Sequence, residues 1–157
     1  MKALIVIDMQ EAYVGRNRKN CPYASDQLVR NIHLRIADYE QRNDLVVYIK
    51  NKGKAQHASE LVPELRRASG LVFEKSKASC FSNDHLLACL REKSIEAIEL
   101  AGVDGNCCVA ISAIEGKKLG FEIRFHLSCI GIANAEKFAS TRRRLEEANI
   151  SVLEGEE

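Results

Sequence analysis

Reactive side chains of three types follow separate apolar runs of the sequence. Asp8 comes directly after the first run, Lys75 follows the third, and the adjacent thiols of Cys107 and Cys108 follow the fourth. A thiol can act as a nucleophile, a carboxylate can accept its proton and return it to a leaving nitrogen, and a lysine can stabilise negative charge. These residue types indicate nucleophilic acyl transfer if the fold brings them together.

The stretch AGVDGNCCVAI, residues 101–111, places both cysteines at the predicted beginning of a helix. Free N–H groups and the positive end of the helix dipole stabilise a thiolate there, and a nearby lysine lowers the thiol pKa further. Backbone amides of the preceding turn are candidate donors to an oxyanion, and Gly102 and Gly105 permit the unusual backbone angles of such a turn. Lys75 has three open roles: orienting Asp8, stabilising the thiolate or contacting the substrate carbonyl.

Short apolar runs alternate with stretches of helical spacing along the chain. Predicted strands cover residues 3–7, 45–49, 71–73, 95–101, 121–125 and 150–153, and predicted helices cover residues 26–42, 59–68, 84–93, 107–119 and 134–148. Runs such as ALIVI and LVVYI are apolar on both faces, which is typical of a parallel sheet covered by helices on each side. The pattern predicts a doubly wound, three-layer α/β fold in one domain spanning residues 1–157, with ligands bound at the carboxyl ends of the strands.

The composition narrows the expected partners. The 157 residues suffice for one domain, and 23 Lys and Arg against 22 Asp and Glu leave a formal charge of +1. This charge gives no reason to expect nucleic acid or an anionic membrane as partner, so the expected partner is a small-molecule substrate or another protein. No apolar run reaches the length of a membrane span, and six cysteines without a secretory signal are expected to stay reduced, which favours a cytoplasmic protein.

Three segments resemble the signature segments of the isochorismatase-like cysteine hydrolases: ALIVIDMQEAYV, KSKASCF and AGVDGNCCVAISAIEGKKLGFEI. The resemblance implies a Rossmann-like fold with a six-stranded parallel sheet flanked by helices. It also implies an Asp-Lys-Cys triad, hydrolysis of small amides or related C–N bonds, and a homo-oligomer, either a dimer or a tetramer.

Matched residue by residue, the resemblance implies that the catalytic residues are Asp8, Lys75 and Cys108. The family's nucleophile is a cysteine followed by valine, six residues after the glycine that ends the fourth strand, and this spacing selects Cys108. Cys107 is then expected to pack against the sheet as a small apolar residue.

The resemblance also describes the turn before the nucleophile. It implies a cis peptide bond between Val103 and Asp104, and an oxyanion hole formed by the backbone N–H groups of Asp104 and Cys108. The chain departs from the family pattern in this turn, because Gly105 and Asn106 stand where Thr-Asp is often found.

Metal-dependent nicotinamidases of this family carry an Asp-x-His pair and further histidines after the second strand. The corresponding stretch here, KNKGKAQHAS, has His57 as its single histidine. Because such a site needs several N and O ligands, no metal and no cofactor are predicted, and nicotinamidase activity is disfavoured.

The leading hypothesis is a cofactor-free cysteine hydrolase that cleaves a C–N bond of a small amide, ureido or carbamoyl substrate through a thioester intermediate. One alternative is a catalytically idle family member that acts as a binding or assembly module. Another is phosphoryl transfer through Asp8, which is disfavoured because the following Met-Gln offers no second acidic residue for Mg²⁺ and no Gly-rich phosphate loop follows.

Overall fold

The computed structural model describes residues 1–16, 20–53 and 55–155. Six parallel strands form one sheet in the order β3-β2-β1-β4-β5-β6. The strands are β1 (Lys2–Ile7), β2 (Leu45–Asn51), β3 (Val72–Lys75), β4 (Ala97–Val103), β5 (Glu122–Gly131) and β6 (Ser151–Leu153). The helices are α1 (Glu11–Val14), α2 (Ser25–Gln41), α3 (Gln56–Ser59), α4 (Asp84–Glu92), α5 (Cys108–Lys118) and α6 (Ala135–Glu147), with a 3-10 turn at Cys80–Ser82. The predicted three-layer α/β fold with a six-stranded parallel sheet is confirmed.

Alternation along the strands explains the two apolar layers. In β1, Ala3, Ile5 and Ile7 join the core beneath α4, α5 and α6, whereas Leu4 and Val6 join the core beneath α2. Successive side chains of a strand point to opposite faces, so a central strand covered on both sides must be apolar throughout. The ALIVI run of β1 meets this requirement, and all of its residues are fully buried.

The strand order reverses at β1. The chain adds β2 and β3 on one side of β1 and then crosses to place β4 on the other. In an open α/β sheet, ligands bind outside the carboxyl ends of the strands at such a switch point. The two strands are very close there, because a Cβ at Gly102 of β4 would lie 2.0 Å from the carbonyl oxygen of Ile7. Gly102 also has a φ of +113°, so both space and backbone angle require glycine.

The predicted helix over residues 59–68 is wrong. The short helix α3 ends at Ser59, and an irregular segment follows it. Pro63 has no N–H to donate and disfavours helical backbone at the residue before it, Val62. The N–H of Val62 donates instead to the carbonyl of Met9 at 3.0 Å. The apolar spacing of this stretch reflects the packing of an irregular segment against the chain that follows β1.

The strand β5 continues to Gly131, beyond the predicted strand. Leu100 of β4 pairs with Phe125, whereas Gly102 pairs with Ile130, so the β5 residues between these partners bulge out of the ladder. Polar residues in this bulge interrupt the apolar run, so the apolar pattern does not predict the second half of the strand. The other predicted elements lie where expected, with ends that differ by one or two residues.

None of the helices in the three described ranges is long and apolar enough to span a bilayer. All six cysteines lie in these ranges, and none of them is bonded to another cysteine.

Candidate active site

Asp8 stands at the carboxyl end of the central strand β1. Its N–H still donates to the carbonyl of Ile49 in β2 at 3.0 Å, but its φ of 55° turns the chain out of the sheet. Aspartate tolerates this left-handed backbone better than most residues. The residue is 2% exposed, and its Oδ1 has no hydrogen-bond partner among the described residues. A buried carboxylate oxygen is therefore left with a free lone pair.

Lys75 is the last residue of β3 and is 1% exposed. Its ammonium nitrogen lies among four acceptors: Asp8 Oδ2 at 3.1 Å, Asn51 Oδ1 at 3.2 Å, and Lys77 O and Cys108 Sγ at 3.3 Å each. A buried charge needs such partners, because removal from water disfavours it. One cation thus contacts both the carboxylate and the thiol that the sequence singles out.

Cys108 is the first residue of α5 and is half-buried. The inner face of α5 carries small residues, which let the helix lie close to the sheet: Ala110, Ser112, Ala113 and Gly116. The sulfur of Cys108 thereby reaches the ammonium of Lys75. The structure brings Asp8, Lys75 and Cys108 together at the switch point between β1 and β4.

Cys107 does not pack against the sheet as expected, because it is exposed. It is the cap residue before α5, with a φ of −125° and a ψ of −101°. Since this backbone is not helical, Cys107 does not lie on the face of α5 that packs against the sheet.

Burial dominates the electrostatics of the three grouped side chains. It raises the pKa of Asp8 and outweighs the lowering by Lys75 and Cys108. Burial and the charge of Asp8 raise the pKa of the Cys108 thiol to about 11, against the lowering by Lys75. For Lys75, burial lowers the pKa, but the contacts with Asp8 and Cys108 outweigh it and raise the pKa.

These directions correct the expectation that the helix N-terminus and Lys75 lower the pKa of the Cys108 thiol. With a raised pKa, Cys108 holds its proton at neutral pH, so attack by sulfur needs a base. The carboxylate of Asp8 is a stronger base than an exposed one, because burial raises its pKa as well.

The turn between β4 and α5 presents two backbone N–H groups. The Val103–Asp104 peptide bond is cis, as predicted. Within the part of the chain that the structure describes, the N–H groups of Asp104 and Cys108 have no acceptor, whereas those of Cys107 and Val109 both donate to the carbonyl of Asp104. Two N–H donors of this turn are therefore left for another acceptor.

The Asp104 carboxylate fixes this turn from three sides. Its Oδ1 accepts a hydrogen bond from the N–H of Asn106 at 2.7 Å. Its Oδ2 accepts from the hydroxyl of Tyr23 at 3.0 Å and from the N–H of Ala133 at 2.9 Å. Because Tyr23 precedes α2 and Ala133 follows β5, one carboxylate joins three segments at the rim of the site.

The two departures from the family pattern have structural roles. Asn106 donates from Nδ2 to the carbonyl of Asn134 at 2.9 Å and accepts at Oδ1 from the hydroxyl of Thr141 at 2.7 Å, which ties the turn to α6. Gly105, unlike Gly102, does not have a positive φ. A Cβ at this position would lie 2.7 Å from a side-chain carbon of Ile132, so glycine is needed for space.

Three residues of the site were missed by the sequence reasoning: Gln10, Tyr13 and Asn51. Asn51 ends β2 and accepts a hydrogen bond from Lys75, while Gln10 and Tyr13 contact Asn51. The rule that selects Asp8 and Lys75, a polar residue after an apolar run, also selects Asn51. The sequence therefore carries the same signal after the second predicted strand, two residues beyond Ile49.

The described residues do not form a metal site at this position. No group of three His, Cys, Asp or Glu side chains within them is placed to hold an ion. The amide oxygen of Asn51 binds the ammonium of Lys75, whose charge repels a cation. His57 is largely exposed, 3.6 Å from the carboxylate of Glu60.

Solved structures share this fold at low sequence identity. The nicotinamidase PncA from Bacillus subtilis is 22% identical, with a TM-score of 0.83 over 98% of this chain and 99% of its own. An isochorismatase-like hydrolase from Alkaliphilus metalliredigens is 19% identical, with a TM-score of 0.85 over 96% of this chain and 92% of its own. The pyrazinamidase of Pyrococcus horikoshii in complex with zinc is 18% identical, with a TM-score of 0.84 over 98% of this chain and 99% of its own.

Sequence comparison reaches the family level. Curated protein sequences contain no significant match to this chain. The family model of the isochorismatase domain matches residues 2–157, so this protein belongs to the isochorismatase family of hydrolases.

Proposed function

We propose that this protein is a cysteine hydrolase that cleaves a C–N bond of a small amide, ureido or carbamoyl compound, with Cys108 as nucleophile. The observation that carries the proposal is the buried ammonium of Lys75, 3.1 Å from Asp8 Oδ2 and 3.3 Å from Cys108 Sγ. The structural neighbours named as nicotinamidase and pyrazinamidase act on amides, which supports this bond type.

The first half-reaction forms a thioester. Cys108 Sγ attacks the carbonyl carbon while its proton passes to Asp8, so that a C–S bond forms and the carbonyl oxygen becomes an oxyanion. The backbone N–H groups of Asp104 and Cys108 donate to this oxygen. The intermediate then collapses, the C–N bond breaks, and Asp8 gives the proton to the departing amine or ammonia.

The second half-reaction releases the acid. Water attacks the thioester carbon while Asp8 accepts its proton, and the same two N–H groups stabilise the second oxyanion. Collapse breaks the C–S bond, and the proton held by Asp8 returns to the sulfur of Cys108. Lys75 stays charged throughout and offsets the negative charge that moves between carboxylate, sulfur and oxyanion.

A panel of primary amides, ureides and carbamoyl compounds, assayed for ammonia release, tests the proposal. We expect hydrolysis of at least one compound by the wild type and its loss in Cys108→Ala. The matched control is Cys107→Ala, which removes the neighbouring exposed thiol and is expected to stay within about twofold of wild type. Full activity in Cys108→Ala would refute the mechanism.

The same panel addresses the binding-module alternative. If the wild type hydrolyses none of the compounds, and iodoacetamide does not alkylate Cys108 selectively, the idle alternative is favoured.

A further inference from the structure

We propose that Asn51 is a positioning residue that holds the Lys75 ammonium in contact with Asp8 and Cys108 at the same time. This role deepens the proposed hydrolase function and rests on it. The direct contact is the hydrogen bond from Lys75 Nζ to Asn51 Oδ1, at 3.2 Å.

The surroundings of the ammonium explain why it needs to be held. A lysine ammonium has three N–H donors at the end of a flexible chain. Two of its four acceptors, on Asp8 and Cys108, change charge or covalent state during the proposed reaction. The other two, Asn51 Oδ1 and the carbonyl of Lys77, stay unchanged. They keep the ammonium in place while the sulfur is acylated.

Asn51 is itself fixed by two residues that precede it in the chain. Its backbone N–H donates to Gln10 Oε1 at 2.9 Å, and its Nδ2 donates to the hydroxyl of Tyr13 at 2.9 Å. Gln10 is fully buried and also donates to the carbonyl of Ser59 at 3.0 Å. Since Lys75 can only donate, these contacts require the amide oxygen of Asn51 to face the ammonium.

The neutral charge of this acceptor is part of its role. A carboxylate at position 51 would accept the same hydrogen bond, but it would compete with Asp8 for the ammonium and add a negative charge near the sulfur. A leucine would fill a similar volume and accept nothing. Asn51→Asp therefore changes the charge, Asn51→Leu removes the acceptor, and both weaken the support that Lys75 gives to a thiolate at Cys108.

The experiment measures alkylation of Cys108 by iodoacetamide at a fixed, mildly alkaline pH, in a Cys107→Ser background, by peptide mass spectrometry. Below the thiol pKa the rate follows the thiolate fraction, so a tenfold slower reaction corresponds to a pKa about one higher. We expect about tenfold slower alkylation in each Asn51 variant than in the parent. Asn31→Leu is the matched control, because the Asn31 amide on α2 donates to the carbonyl of Ser128 in β5.

A double-variant cycle separates positioning from a merely structural role. If Asn51 acts through Lys75, then Asn51→Leu has no further effect on alkylation once Lys75→Met is present. Equal slowing by Asn51→Leu with and without Lys75 would overturn the proposal, as would alkylation of both Asn51 variants at the rate of the Asn31→Leu control. Circular dichroism checks the fold of each variant, and the isosteric Asn51→Asp serves if the leucine variant does not fold.

This readout also keeps the inference separate from the proposed function. Alkylation needs no substrate, so its rate reports on Lys75 and Cys108 even where no amide is hydrolysed. Amine release that persists in Cys108→Ala would refute Cys108 as the nucleophile, while the cycle would still show whether Asn51 holds Lys75.

Discussion

The described residues include two buried ion pairs that differ in how completely their carboxylates are hydrogen-bonded. Arg35 of α2 donates two hydrogen bonds to Glu99 of β4, from Nε to Oε2 at 2.5 Å and from Nη2 to Oε1 at 2.7 Å. Lys75 meets Asp8 through Oδ2 alone, and Oδ1 of Asp8 has no partner among the described residues. Glu99 is 1% exposed and Asp8 2%, so burial does not distinguish the two carboxylates.

The difference separates a pair that stabilises from a pair that can react. Bidentate contacts satisfy both oxygens of Glu99 and hold α2 on the sheet. An unsatisfied buried oxygen costs stability, and such local costs are typical of functional sites. The position agrees with this interpretation, because Glu99 lies within a strand and Asp8 at the ligand-binding end of one.

The largest expected effect is on kcat, when Asp8 of the incompletely hydrogen-bonded pair is changed. Asp8→Asn keeps the shape of the side chain but cannot accept the thiol proton, so we expect kcat to fall by about 10³-fold or more on any substrate of the amide panel. The measurement is amine release by variant and wild type at matched concentrations of folded protein. A loss smaller than about tenfold would show that Asp8 is not the base.

The next largest effect is on the free energy of unfolding, when the fully hydrogen-bonded pair of Arg35 and Glu99 is broken. Glu99→Gln leaves the guanidinium of Arg35 without its main counter-charge, and we expect a loss of about 3 kcal/mol in the free energy of unfolding. The value lies at the low end for such pairs, because Arg35 keeps Asp38 as a partner at 2.9 Å. Urea unfolding measures it, and amine release by the folded variant should match wild type.

A matched control for this variant is Glu146→Gln, which removes an exposed partner of Arg142. We expect little change in the free energy of unfolding there, since solvent screens the pair. If Glu99→Gln were as mild as this control, the pairing of Arg35 and Glu99 would not explain the docking of α2.

A smaller effect is the dependence of stability on pH that Asp8, paired with Lys75, causes. Burial raises the pKa of Asp8 above its ordinary 3.8, so the folded protein binds this proton more tightly than the unfolded chain does. Stability therefore falls as the pH rises from 3.8 through the folded pKa, while activity rises there because only the carboxylate accepts the thiol proton. Urea unfolding across this pH window should show a drop in wild type that is absent in Asp8→Asn; an equal drop in both would exclude Asp8 as its source.

Strand ends were the part of the site most open to prediction from sequence. Asp8, Lys75 and Cys108 each follow an apolar run, and parallel strands bring their carboxyl ends to one edge of the sheet. The family resemblance was needed to choose Cys108 over Cys107, because both cysteines lie at the same helix terminus. The exposure of Cys107 depends on a backbone angle that residue types did not reveal.

The predictions that proved wrong concern features that depend on contacts between residues distant in sequence. The segment after α3 has helical spacing, yet Val62 bonds to Met9 of another segment. A lowered thiol pKa was expected at Cys108 from its place at a helix N-terminus, which is local information. Burial and the charge of Asp8, which is distant in sequence, outweigh this effect in the folded protein.

The smallest expected effect is that of Tyr23→Phe. This variant tests whether hydrogen bonding or location decides the role of a carboxylate. Asp104 lies in the candidate site but is saturated like Glu99, with hydrogen bonds from Tyr23, Asn106 and Ala133. Tyr23→Phe removes one of these donors, and we expect a loss of about 1–2 kcal/mol in unfolding free energy. The remaining two donors still hold the turn, so kcat should fall by less than about threefold, measured by amine release. If kcat fell a hundredfold without a loss of stability, complete hydrogen bonding would not identify a structural carboxylate. The contrast between Glu99 and Asp8 would then depend on location alone.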